Sequence, residues 1–268
     1  MTTYVHGYST QEAARLKDQA TTLAALLYGD LRYPKGATVL EAGCGTGCQT
    51  VFLAAANPET NFVSMDISPS SLATAQEAVR DRGLTNVRLQ PGNIFDLPLA
   101  DQSIDHIFVC FVLEHLKDPV RALRCLLRAL KMGGTITVIE GDHGSFYCHP
   151  ETVDARRTVD CLVQIQAILG GDAMIGRRLY PLLTEAGFAQ TEVEPRMVYV
   201  DGSRPKLIEG FSRNTFIAMV RGVRDQALAL SLIDEQTWDK GIADMEKAAE
   251  PTGTFCYTFF RAVAQRNG

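Results

Sequence analysis

Val39-Leu40-Glu41-Ala42-Gly43-Cys44-Gly45-Thr46-Gly47 is the stretch that decides how this chain folds. An apolar run from Thr38 to Ala42 stops at glycines, which marks a buried strand entering a tight turn. Glycine there lets the backbone turn sharply and approach a ligand closely, because no Cβ intervenes. The turn also opens a helix near Gln49, whose first N–H groups lack intrahelical partners. A plain strand-to-helix turn would use the same glycines, so the acidic neighbours matter. Glu41 ends the strand, where a phosphate would meet negative charge. Asp66 closes the next strand nineteen residues past Gly47, suitably placed to accept hydrogen bonds from a ribose diol. This charge pattern fits a cationic nucleoside without phosphates better than a dinucleotide. A Gly-x-Gly-x-x-Gly fingerprint anchored at Gly43 and Gly45 would need glycine where the chain has Cys48. The phosphate-loop alternative fails too, since no Gly-Lys-Ser or Gly-Lys-Thr follows.

Outward from this loop the rhythm alternates. Residues 10–28 place Leu16, Ala20, Leu23 and Leu27 at the spacing of one helical face. After the glycine loop, residues 61–66 read as a second strand. Ser68-Pro69 then supplies an N-cap with proline in the first turn. Residues 87–90, 104–111 and 135–140 are further strands, and Asp118-Pro119 caps the helix before the last of them. Five strands alternating with helices imply parallel pairing and right-handed crossovers. Beyond Gly141, residues 144–187 and 205–250 look helical. Thr191–Val200 and Phe255–Val263 read as late strands, and Pro195 puts the former at an irregular or edge position. The expectation is an α/β fold: a doubly wound, mostly parallel seven-stranded sheet in a single domain 1–268. Helical insertions at 143–190 and 205–250 should cover the carboxyl ends of the strands, where such sheets bind ligands.

Composition excludes several roles. The 268 residues carry a net charge of −5, with 46% hydrophobic residues, so neither disorder nor bulk attraction to nucleic acid or anionic membranes is expected. Seven cysteines form no Cys-x-x-Cys pair, which removes the usual zinc and redox spacings. No signal-like N-terminus and no run of ~18 apolar residues is seen, so a cytoplasmic location is expected.

With these residues in view, the chain resembles the class I S-adenosylmethionine-dependent methyltransferases, in particular the small-molecule branch similar to the ubiquinone/menaquinone methyltransferases. The resemblance spans about residues 36–142. It rests on Glu41-x-Gly43-Cys44-Gly45-x-Gly47, Asp66-Ile67-Ser68, Gly92-Asn93-Ile94, Val112-Leu113-Glu114-His115 and Gly133-Gly134-Thr135. It implies S-adenosyl-L-methionine as cofactor. Glu41, Gly43, Cys44, Gly45 and Gly47 would form the loop, Asp66 and Ile67 would hold the ribose side, and Gly92, Asn93 and Ile94 would flank the adenine. Many relatives carry aspartate where this chain has Asn93; an amide oxygen accepts the same bond without charge assistance. Phe111 would touch the methionine portion, and residues 1–33 would fold over it as a lid with Tyr8 nearest.

Methyl transfer needs alignment and water exclusion more than covalent help, with a base only for a protonated acceptor. Candidate bases are His143 and His115. Asp142, Tyr147 and His149, in a polar loop after the fifth strand, are candidate contacts to a small-molecule acceptor, as is Arg177 for an acidic group. No metal is expected, because Asp142, His143, Cys148 and His149 match no common ligand spacing. No nucleic-acid or membrane partner is expected; the late helices could form a homodimer surface. The competing reading is a protein of this fold that binds the cofactor, or a partner, without turnover.

Overall fold

Alternation along each strand sorts its side chains to two faces. In β1 (Thr38–Ala42), Val39 points to one apolar cluster and Leu40 to the other; in β4 (Ile104–Cys110), Phe108 and Val109 divide in the same way. Both faces of the central strands are therefore buried, which is why these segments read as continuous apolar runs. The computed structural model describes residues 10–267, with side chains from residue 19 onward.

Seven strands among the described residues form one sheet in the order β3-β2-β1-β4-β5-β7-β6. The others are β2 (Asn61–Asp66), β3 (Val87–Pro91), β5 (Leu130–His149), β6 (Ala189–Val200) and β7 (Thr254–Gln265). β1 to β5 pair in parallel, and β7 runs antiparallel between β5 and β6. The mostly parallel, doubly wound expectation holds. Pro195 sits on β6, the edge strand, where its missing N–H leaves no gap in a central ladder.

The helices follow the local signals. In α3 (Pro69–Asp81) the Ser68 hydroxyl accepts from the Ser71 N–H at 3.2 Å; in α4 (Pro119–Ala129) the Asp118 carboxylate accepts from the Arg121 N–H at 2.9 Å. One cluster joins α1 (Thr10–Leu27) and α2 (Cys48–Ala56) to the sheet through Leu23, Leu27 and Leu53. The other joins α4 and α6 (Leu179–Ala186) through Leu123, Leu126, Leu182 and Leu183.

The late region departs from the sequence reading. Residues 143–149, expected as loop and helix, continue β5, and after a break at 143–146 they pair with β7: Tyr147 lies opposite Cys256 and His149 opposite Thr254. Gly141, Asp142, His143 and Gly144 mimic a loop by composition, but β7 pairs with Gly141 and Asp142, while the His143 N–H donates to the Ala173 carbonyl and the Gly144 N–H to Asp142 Oδ1. Helix resumes at α5 (Val153–Ile168), followed by a 3₁₀ turn at Ile175–Arg178 and then α6. The expected helical stretch 205–250 is broken into pieces, including a π-helical segment at Ile208–Ile217 that packs on α1 and a helix at Glu235–Ala248.

Candidate functional site

The carboxyl ends of β1, β2 and β4 meet at the glycine loop. Met65, at the end of β2, accepts through its carbonyl from the Gly43 and Cys44 N–H groups at 2.8 and 3.0 Å, which ties the loop across the sheet. Gly43 has φ +82° and its Cα rests against Val112; a Cβ there would lie 2.4 Å from Val112 Cγ2. Gly45 has φ +52°, and a Cβ there would meet nothing within 4 Å among the described residues. The backbone at Gly45 thus borders open space that any side chain would enter. The Gly45 N–H donates to Asp66 Oδ2 at 2.8 Å, and the Ser68 N–H donates to Oδ1 at 2.8 Å. Asp66 therefore stands at the rim beside the gap over Gly45, half-buried, with Ile67 next to it 64% exposed.

Other expected contacts are placed differently. Glu41 is buried below the loop, where Thr50 and Ser64 hydroxyls donate to its Oε2 at 2.6 and 2.7 Å. Burial pushes its carboxyl above the usual range, and the two hydroxyl bonds oppose that shift. It braces the strand end and does not line the gap. The Cys44 thiol is buried and shifted upward for the same reason, beside Glu41 and Asp66. Gly92 leaves room for the Met65 sulfur, 2.2 Å from where a Cβ would stand, and Ile94 packs against the lower apolar cluster. Asn93 is exposed, and its Oδ1 accepts from the Phe95 N–H at 2.9 Å. The amide oxygen expected to meet an adenine thus closes a local turn. Tyr8 lies outside the described residues.

Phe111, just past β4, holds φ +58° with its ring 5.5 Å from Phe259, a conformation costing roughly 1–2 kcal/mol for a non-glycine residue. The next two amides, of Val112 and Leu113, donate to Glu140 Oε1 at 3.0 and 2.7 Å. Glu140 ends the expected fifth strand and is wholly buried; burial first, and Glu114 second, push its carboxyl well above the usual range. Glu114 accepts from Gln166 Nε2 at 3.0 Å, and His115 Nε2 lies 3.6 Å from Glu114 Oε1. His115 thereby belongs to a polar group at the end of β4.

Three expectations for the β5 extension are corrected. His143 is 5% exposed, not a loop residue; its Nδ1 is 2.7 Å from the Tyr257 hydroxyl and its ring meets Phe216 edge-on. Asp142 and Arg177 form an ion pair: Arg177 Nε and Nη2 donate to the buried carboxylate at 2.7 and 2.8 Å, while the Arg177 side chain stays 48% exposed. Tyr147 and His149 are exposed, whereas the alternating Phe146 and Cys148 are buried; unbroken alternation would put 143, 147 and 149 on one face, and the register shift between Asp142 and Tyr147 is what turns the latter two away from His143.

Sequence reasoning missed Tyr257. Asp142 pairs with Thr258 and Tyr147 with Cys256, so Tyr257 faces the irregular residues 143–146. Its hydroxyl sits 2.3 Å from where a Cβ on Gly141 would be, and that glycine was the available signal. Glu140 stands in the sequence only as the last residue of the expected fifth strand, with nothing beside it to mark it as an acceptor. Among the described residues no group of three or more His, Cys, Asp or Glu side chains is placed to hold a metal ion, and no helix is long and apolar enough to cross a membrane.

Residues 40–138 match a family model described as a methyltransferase domain. The chain is 32% identical over 218 residues to an uncharacterised 37.1 kDa protein of a Streptomyces fradiae transposon, covering 79% of this chain and 62% of that protein. It is 34% identical over 111 residues to a demethylmenaquinone methyltransferase of Listeria welshimeri, covering 41% of this chain and 47% of that enzyme. The chain thus spans less than two thirds of the length of these relatives. Its fold is similar to that of Haemonchus contortus phosphoethanolamine N-methyltransferase 2 in complex with S-adenosyl-L-methionine, at 15% identity and TM-score 0.59, covering 97% of this chain and 58% of that one.

Proposed function

Because this chain belongs, through its residues 40–138, to the class I S-adenosylmethionine-dependent methyltransferases, we propose that it transfers a methyl group from S-adenosyl-L-methionine to a small-molecule acceptor. The observation that carries this reading is the open space at Gly45, bordered by the Asp66 carboxylate and the exposed Ile67. A side chain at residue 45 would fill the place where a nucleoside can lie against bare backbone. Asp66 would accept from the ribose hydroxyls, Ile67 would cover one face of the base, and Phe111 would border the methionine end. The cofactor supplies a methyl group already activated by its sulfonium.

The chain must then align the acceptor and exclude water. The cover built by α1, α5 and residues 205–250 supplies apolar walls. Beneath it, His143 and Tyr257 form a buried hydrogen-bonded pair between β5 and β7. An imidazole held by a phenol can take a proton from a nucleophile that arrives protonated. Arg177 and Asp142 pin the β5 extension to the turn before α6.

Isothermal titration with S-adenosyl-L-methionine and S-adenosylhomocysteine tests the binding half; no heat at millimolar ligand removes the proposal. Formation of S-adenosylhomocysteine across amine, phenol, thiol and carbon-acid acceptors tests turnover. Binding with no turnover on any class would leave a protein that holds the cofactor without using it.

A further inference from the structure

We propose that Glu140 positions the cofactor pocket: from inside the sheet it fixes the segment after β4, and through Val112 it sets where the glycine loop stands. The inference rests on the reading of the Gly45 gap as the cofactor site.

The contacts form a chain. Glu140 Oε1 accepts from both Val112 N–H and Leu113 N–H. Between the Cys110 end of β4 and the short 3₁₀ turn at Leu113–His115, these amides have left the ladder that β4 shares with β5. Val112 then packs its isopropyl group directly on Gly43, so closely that no Cβ could fit between them. Gly43 in turn is bound to Met65 beside Asp66, and the Gly45 N–H reaches the Asp66 carboxylate. Phe111, at the start of the same segment, is held at φ +58°, a conformation that persists only where its surroundings enforce it.

Stability alone gives little reason for a carboxyl at this place. Glu140 is wholly buried, and its Oε2 has no hydrogen-bond partner among the described residues. A buried carboxyl that leaves one oxygen unbonded carries a desolvation cost that an apolar side chain would avoid. What the carboxyl adds is one acceptor that holds two consecutive amides in a fixed register.

The test measures S-adenosylhomocysteine affinity by titration in wild type, Glu140→Gln, Glu140→Leu and Val112→Ala, with thermal melting for each. Glu140→Gln keeps an acceptor oxygen and should bind within about threefold of wild type. Glu140→Leu cannot accept, and should bind on the order of tenfold or more weakly. Val112→Ala leaves Glu140 and both amides in place, and should weaken binding about threefold while still melting cooperatively. Hydrogen exchange at the Val112 and Leu113 amides should be slow in wild type and Glu140→Gln. If Glu140→Leu does not fold, the exchange data and Val112→Ala decide. Unchanged affinity in Glu140→Leu or Val112→Ala, fast exchange at both amides in wild type, or a Gln variant as weak as the Leu variant would overturn the inference. A wild-type protein that binds no S-adenosylhomocysteine would instead defeat the underlying function.

Discussion

Alanine at position 45 separates binding from folding. Gly45 has φ +52°, close to the left-handed minimum, and an added Cβ there finds nothing within 4 Å among the described residues. The structural cost is therefore the backbone term alone, about 1 kcal/mol, or a melting shift of roughly 2 °C for a chain this long. Position 43 contrasts. Its φ is +82° and its Cβ would stand 2.4 Å from Val112 Cγ2, so the backbone term is joined by overpacking, for about 2–5 kcal/mol in all. Under the proposed function the methyl group of Gly45→Ala occupies space the nucleoside needs. Displacing the ligand by even one or two hydrogen bonds weakens it by about 10- to 100-fold. Scanning calorimetry and titration with S-adenosylhomocysteine on both variants check this. A Gly45→Ala protein that melts like wild type and binds like wild type would refute the placement of the ligand over Gly45. A variant that unfolds would refute the claim that the space is open.

Asp66→Asn keeps one acceptor for the Gly45 or Ser68 amide but loses the charge, so cofactor affinity should fall about tenfold with little change in melting, measured by the same titration. Tyr257→Phe removes the hydroxyl beside His143 Nδ1 and should cost about 1–2 kcal/mol. If the pair moves a proton, initial rates will show a lower kcat with unchanged cofactor affinity. Arg177→Ala strands a carboxylate whose side chain is 3% exposed; because Arg177 itself is 48% exposed, the loss should be about 1–3 kcal/mol, partly recovered by adding Asp142→Asn, as urea midpoints would show. Glu140 and Glu41 are both held above the ordinary carboxylate value of 4.5 in the fold, so the folded state keeps protons that the unfolded chain releases above that value. Their contribution is full below about pH 4.5 and falls as pH rises toward their folded values, by at most about 1.4 kcal/mol per pH unit for each group. Glu140→Gln should flatten the decline in unfolding free energy as pH rises above about 4.5, and an unchanged slope would contradict the raised position.

Much of the fold was legible locally. The Ser68-Pro69 and Asp118-Pro119 starts, the apolar runs of β1, β2 and β4, and the edge position implied by Pro195 are written in adjacent residues and appear as read. Asp66 beside the glycine loop was legible too, because strand ends in a parallel sheet converge by topology. The extension of β5 was not. Gly141-Asp142-His143-Gly144 has the composition of a loop, and the strand is carried on either side of its irregular part by pairing with residues more than a hundred positions later, Asp142 with Thr258 and Tyr147 with Cys256.

By itself, then, the sequence determined the strand-and-helix rhythm and the glycine turn, which depend on neighbours within a few positions, and the acid that faces the turn, which successive parallel strands bring to the same sheet edge. The tertiary structure decided which polar groups find each other. It bound Arg177 to Asp142, joined His143 to Tyr257 across 114 positions, and put Glu140 under the amides of Val112 and Leu113. The physical reason is that a buried polar atom must find a partner wherever the packed chain brings one within hydrogen-bond distance. That choice belongs to the three-dimensional path and leaves no periodic trace along the chain.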